Sequence, residues 1–155
     1  MATPVLNIPN EVLDLPTLKI VRAGVAAQKR LIAGRWAQYR KRWGGMVTDV
    51  EYCAIGSVLK PLPGEVNCFE QIYGKYDVDP ITCAKIVRAN DVELVEVTPE
   101  ERQAAMLDWL DRCIAYAEGV KTNIEALARA EKTGTRVYVQ TRSGQPVLIE
   151  EQAAA

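Results

Sequence analysis

The sequence predicts a mainly α fold: a single helical domain with a small C-terminal β-hairpin. Three observations carry this prediction. The chain has 155 residues, 48% hydrophobic and 25% charged, a composition that suits one soluble domain with its own core. Apolar residues recur at helical spacing along most of it. Only towards the end does the period change to the alternation of strands.

Residues 1–16 read as an extended N-terminal arm, because Pro4, Pro9 and Pro16 disfavour a helix there. A first helix is predicted over about 17–43. Leu18, Val21, Val25, Ile32, Trp36, Tyr39 and Trp43 fall within a stripe of ~60° at 100° per residue. Gly44-Gly45 is expected to end it. Four pairs match the capping logic, in which a side-chain oxygen accepts an orphan N–H and a glutamate reaches back: Thr48 with Glu51, Asn67 with Glu70, Thr98 with Glu101, and Thr122 with Glu125. They predict helices over about 49–59, 68–73, 99–118 and 122–132. Pro61 and Pro63 stop the first, Gly74 ends the second, and Gly119 separates the last two. Asp79-Pro80 opens a further helix that ends near Asn90. Residues 136–141 and 146–150 flank Ser143-Gly144 as a hairpin. Two strands alone are marginal in water, so this hairpin, residues 135–150, is expected to pack on the helical domain, residues 17–134.

The net charge of −1 hides a strong polarity. Between Pro16 and Thr48 there are eight basic residues and no acidic one, which leaves 11 basic and 20 acidic in the rest. Asp91 to Glu118 alone carries eight acidic residues and two basic. A basic block of this kind binds an acidic partner surface or phosphate, or it is neutralised by the acidic segment of its own or a second copy. Lys29, Arg30, Arg35, Arg40, Lys41 and Arg42 are the candidate binding residues.

The chain has no histidine. Ser-His-Asp and Cys-His catalysis within one chain are thereby excluded, as is any zinc site needing imidazole. No catalytic residue, metal or cofactor is assigned. Cys53, Cys68, Cys83 and Cys113 form no CxxC pair. The N-terminus lacks a basic region followed by an apolar one, and no apolar run approaches the ~20 residues of a membrane span, so reduced thiols and a cytoplasmic location are expected. A second candidate site is a polar pocket formed by Asp49, Cys53, Asn90 and Asp91. A thiol near a helix start has a lowered pKa, and an oxygen-rich pair suits a cation or a ligand hydroxyl.

Trp36, then Cys53-Ala54-Ile55-Gly56-Ser57, then Asn90-Asp91, then Thr98-x-x-Glu101, stand in a recognisable order. Over residues 18–118 the chain resembles an uncharacterised family of small domains of bacteria and their phages. That family shows a tryptophan, a CAxGA helix start, an ND pair and a TxEE helix start; Ser57 replaces its usual alanine here. The resemblance implies a mostly helical domain of bacterial or phage origin and no particular activity. The leading expectation is a non-enzymatic interaction protein. It would be a phage or mobile-element accessory factor that binds and modulates a host macromolecule in the bacterial cytoplasm. Its partner would be an acidic host protein, or a second copy in a homodimer. One alternative is a nucleic-acid binder using the basic helix 17–43. Another is a small-molecule-binding or hydrolytic protein using the pocket near Cys53, Asn90 and Asp91. No membrane role is expected.

Overall fold

The computed structural model describes residues 3–41, 44–45, 47–62, 68–134, 137–140 and 146–149. The fold is mainly α. Its axis is the helix at Pro99–Thr133, α5 in the chain order α1 Leu15–Ala26, β1 Ala37–Lys41, β2 Val47–Tyr52, α2 Gly56–Leu59, α3 Cys68–Lys75, α4 Pro80–Arg88, α5, β3 Val137–Gln140 and β4 Pro146–Ile149. A π-helical turn at Ala89–Glu93 extends α4.

α5 starts as its sequence predicts. Thr98 Oγ1 accepts from the Glu101 N–H at 3.1 Å, and Glu101 Oε2 accepts from the Thr98 N–H at 2.9 Å. Gly134, at φ 68°, ends it in the left-handed conformation. Between these caps the helix is continuous, so Gly119 does not divide it. Glycine lowers helix propensity by about 1 kcal/mol but removes no hydrogen bond. The expected cap at Thr122 is spent otherwise: its hydroxyl donates to the Glu118 carbonyl at 3.0 Å, inside the helix.

α1 lies along α5. Leu18, Val21 and Val25 of α1 join Met106, Leu110 and Cys113 of α5 in the buried core, with Ile72, Cys83 and Ile86 from α3 and α4. On the rim, Lys19 meets Glu118 at 3.1 Å and Arg22 meets Asp111 at 2.9 Å. The Asp111 carboxylate holds the Arg22 guanidinium above its usual pKa.

The long helix predicted over 17–43 is corrected: α1 stops at Ala26. Beyond it the backbone is drawn to other elements. The Leu31 N–H donates to the Pro99 carbonyl at 2.9 Å, and the Ile32 N–H to the Tyr52 carbonyl at 3.0 Å. Residues 37–41 then form an antiparallel ribbon with β2, in a register running from Ala37 opposite Tyr52 to Arg40 opposite Asp49. Gly44 and Gly45 turn this ribbon with φ of 93° and 84°, values open to glycine at no steric cost, so the pair makes a hairpin turn and not a helix end. The helix predicted over 49–59 is corrected with it. Thr48 and Glu51 belong to β2, and only the single turn of α2 is helical. Trp43 of the predicted stripe lies outside the described residues.

The C-terminal strands pair antiparallel, from Val137 opposite Ile149 to Gln140 opposite Pro146, beside the end of α5. Ser143-Gly144 lies outside the described residues. The described residues therefore hold two antiparallel strand pairs, and the one in mid-chain takes residues that the helical period claims.

Candidate functional site

Residues 27–36 cross the molecule between α1 and β1 without regular structure, and three separate segments hold them: the end of β2 with the turn that follows it, the π-helical turn, and the start of α5. The Cys53 N–H donates to the Trp36 carbonyl at 3.2 Å. Asn90 Nδ2 donates to the Ile32 carbonyl at 2.9 Å. Leu31 is tied to Pro99, the first residue after the Thr98 cap, and Ile32 to Tyr52. The tryptophan, the CAxGS turn, the ND pair and the TxEE cap thus converge on one loop. These residues act as its frame.

The turn after β2 shows why those residue types occur. Gly56 donates its N–H to Cys53 Sγ at 3.2 Å, and Ser57 Oγ donates to the Ala54 carbonyl at 2.6 Å. A Cβ on Gly56 would stand 1.9 Å from the Trp36 carbonyl oxygen, so only glycine fits against the loop backbone there. Cys53 is buried and serves as an acceptor within the turn.

Asn90 is 1% exposed and sits in the π-helical turn. Its amide also donates to Asp91 Oδ1 at 2.6 Å, and its main-chain carbonyl accepts from Arg102 Nη1. The Asn90 Oδ1 is buried without a hydrogen-bond partner. Burial lowers the Arg102 pKa, and the nearby Asp91 carboxylate opposes that shift. Asp49 is exposed on β2 opposite Arg40, and no bond links it to Cys53, Asn90 or Asp91 among the described residues. Asn90 and Asp91 are brought together, while Cys53 is joined to them only through the loop and Asp49 stands apart.

The basic residues divide in two. Arg30 Nη1 and Arg40 Nη2 both reach Glu51 Oε1, each at 3.2 Å. Arg30 Nε also lies 3.0 Å from Glu100 Oε1, an ionic contact without hydrogen-bond alignment. Glu51 is buried, so one carboxylate anchors two guanidinium groups from the loop and the ribbon. Lys29 and Arg35 are exposed and have no ion pair among the described residues. Lys41 ends β1, opposite Val47 across a register irregularity. Its side chain, and all of Arg42, lie outside the described residues.

Sequence reasoning missed Glu51, Glu100 and Arg102. The alternation Val47-Thr48-Asp49-Val50-Glu51-Tyr52 carried the strand signal for Glu51, but the apparent capping pair masked it. No group of three or more histidine, cysteine, aspartate or glutamate residues among the described ones could hold a metal ion. None of the described helices is long and apolar enough to cross a membrane. Comparison with known protein families, curated proteins and solved structures gives no match.

Proposed function

We propose that this chain is a non-enzymatic interaction protein that presents the cationic loop 27–36, with the adjoining face of β1, to an acidic surface of a partner. The observation that carries the reading is the state of Lys29 and Arg35: both are exposed and have no ion pair among the described residues, on a loop fixed by bonds to β2, the π-helical turn and α5. A loop already held in place loses little freedom on binding, and unpaired cations steer association with anionic partners. The partner class proposed is a host macromolecule in the bacterial cytoplasm, in keeping with the bacterial or phage origin that the motif resemblance implies. Modulation of that macromolecule is the proposed role.

The basic-helix route to nucleic acid loses its support, because Lys19 and Arg22 are tied to α5 and the helix ends at Ala26. The pocket reading fares no better, with Cys53 and Asn90 engaged in holding the loop. The test compares retention of bacterial lysate proteins by the native chain and by a Lys29→Glu/Arg35→Glu variant at low and moderate salt. Specific partners retained by the native chain should be lost by the variant. Equal retention by both would refute the reading, and gel shifts with DNA or RNA abolished by the same variant would replace it with the nucleic-acid one.

A further inference from the structure

Among the described side chains of the basic block, Lys19, Arg22, Arg30 and Arg40 are ion-paired, each to an acid from another element. The pairs differ in kind. Lys19–Glu118 and Arg22–Asp111 lie on the rim with both partners about half-exposed, and such pairs are weak and open to exchange. Glu51 is different. Its side chain is 8% exposed, so water does not take over its charge when an arginine leaves. Arg30 and Arg40 converge on its Oε1, and Glu100 meets Arg30 from α5. Two guanidinium groups and two carboxylates give this cluster no net charge, although the Arg30 and Arg40 side chains are 38% and 54% exposed.

We infer that Glu51 and Glu100 are specificity-determining residues of the cationic surface. They withhold Arg30 and Arg40 from polyanions, so that the loop answers to a matched acidic patch and not to any phosphate backbone. The inference rests on the proposed role of Lys29 and Arg35 and adds what keeps that role selective. Affinity for nucleic acid grows with the number of uncompensated cations, because each one releases condensed counterions from the phosphates whatever the sequence. A protein surface with a few fixed carboxylates has no such counterion atmosphere, and its recognition depends on a few well-placed charges. Neutralising two exposed arginines therefore weakens binding to nucleic acid more than binding to such a surface. A passing polyanion does not reclaim them easily, because each arginine that leaves Glu51 strands a buried carboxylate.

The test uses a short DNA duplex as a polyanion probe for the full-length chain. Affinity is measured at about 50 and about 200 mM salt, a range over which each phosphate contact is worth about threefold. Glu51→Gln and Glu100→Gln each leave one cation uncompensated. Each should add a further loss of about threefold over that range, and the double variant about tenfold. Glu100 is 60% exposed, so its variant keeps the fold even where Glu51→Gln weakens it. Arg40→Gln added to Glu51→Gln should restore the native salt dependence. Asp77→Asn makes the same change in net charge at an exposed residue with no ion pair among the described residues, and should leave the salt dependence unaltered. A double variant with the native salt dependence overturns the inference, as does an Asp77→Asn effect equal to that of Glu100→Gln. Neither result bears on the lysate retention test of Lys29 and Arg35, which involves the partner and no DNA. Failure of that test, with the salt dependence moving as expected, overturns the loop reading alone.

Discussion

Asp14 and Asp79 each reach across to the other's helix. The Asp14 backbone N–H donates to Thr82 Oγ1 at 2.9 Å, and the Asp79 backbone N–H donates to Thr17 Oγ1 at 2.8 Å. Each threonine also stays with its own cap. Thr17 donates from its hydroxyl and N–H to Asp14 Oδ2, at 2.6 and 3.1 Å. Thr82 donates likewise to Asp79 Oδ2, at 2.7 and 2.8 Å. Two Asp-x-x-Thr caps therefore satisfy orphan donors of α1 and α4 and lock the two N-termini head to head. Both threonines are buried, while the two aspartates are half-buried.

Valine matches threonine in shape but cannot accept a hydrogen bond. Thr17→Val leaves the Asp79 N–H without its acceptor, and Thr82→Val does the same to Asp14. Each should lower stability by about 1–3 kcal/mol, the cost of a buried polar group left unpaired. Because both halves position the same pair of helix ends, the double variant should cost less than the sum of the singles. Urea unfolding of the four proteins reads the coupling directly. Strict additivity would mean that the two caps work independently.

This clasp shows what the sequence disclosed and what it hid. Asp79-Pro80 was legible as a helix start because a cap and its proline are local. That Asp14-x-x-Thr17 repeats Asp79-x-x-Thr82 was also open to view, but their meeting depends on a separation of 62 to 68 residues that no local pattern encodes. The long helix α5 was legible from Thr98 and Glu101 for the same local reason. The ribbon of β1 and β2 was not. Trp36 and Tyr39 happen to continue the helical spacing of Leu18, Val21 and Val25, and Gly44-Gly45 suits a helix end as well as a hairpin turn. What decides between them is tertiary: Leu31, Ile32 and Trp36 have their backbone partners in α5, β2 and the turn at Cys53. Of the candidate site, the individual cations were readable. Which of them is neutralised was not, because the Thr48–Glu51 spacing suits a helix cap as well as a strand.

Two glycines make opposite predictions. Alanine at Gly56 would drive a methyl carbon to 1.9 Å from the Trp36 carbonyl oxygen, a backbone atom that cannot swing aside. Gly56→Ala should destabilise the fold by about 1–3 kcal/mol, as overpacking does, and loosen the loop at Trp36. Gly119 has nothing within 4 Å of its missing Cβ and sits inside a regular helix. Gly119→Ala should stabilise the chain by up to about 1 kcal/mol through helix propensity alone. Thermal melts of the two variants should therefore move in opposite directions. A lower Tm for Gly119→Ala would show that α5 needs flexibility at that point.

Asn90 ties the π-helical turn to the loop through the Ile32 carbonyl. Asn90→Leu removes the donor and leaves that carbonyl buried and unpaired, so a loss of about 1–3 kcal/mol is expected. The more specific readout is hydrogen exchange at the Leu31 and Ile32 amides, which donate to Pro99 and Tyr52. If Asn90 fixes the loop, these amides should exchange faster in the variant under conditions where the α5 amides do not. Unchanged protection would assign the fixing of the loop to its backbone bonds alone.

Cys83 provides a dependence on alkaline pH. It is fully buried in α4, and burial raises its thiol pKa to about 11, with the Asp79 and Asp14 carboxylates of the clasp adding to the shift. In the unfolded chain the same thiol ionises near its ordinary 9.0. Between about 9 and about 11 the unfolded state has therefore lost a proton that the native state keeps. The unfolded state then binds fewer protons, so stability falls as pH rises through that window, and the thiol's contribution is fully present below it. Tyr52 and Tyr73, whose pKa values burial also raises, act in the same direction. Urea midpoints measured across the window for the native chain and for Cys83→Ala separate these effects. The variant should keep a shallower decline from the tyrosines, and identical slopes would show that the Cys83 thiol ionises as readily in the folded protein as in the unfolded chain.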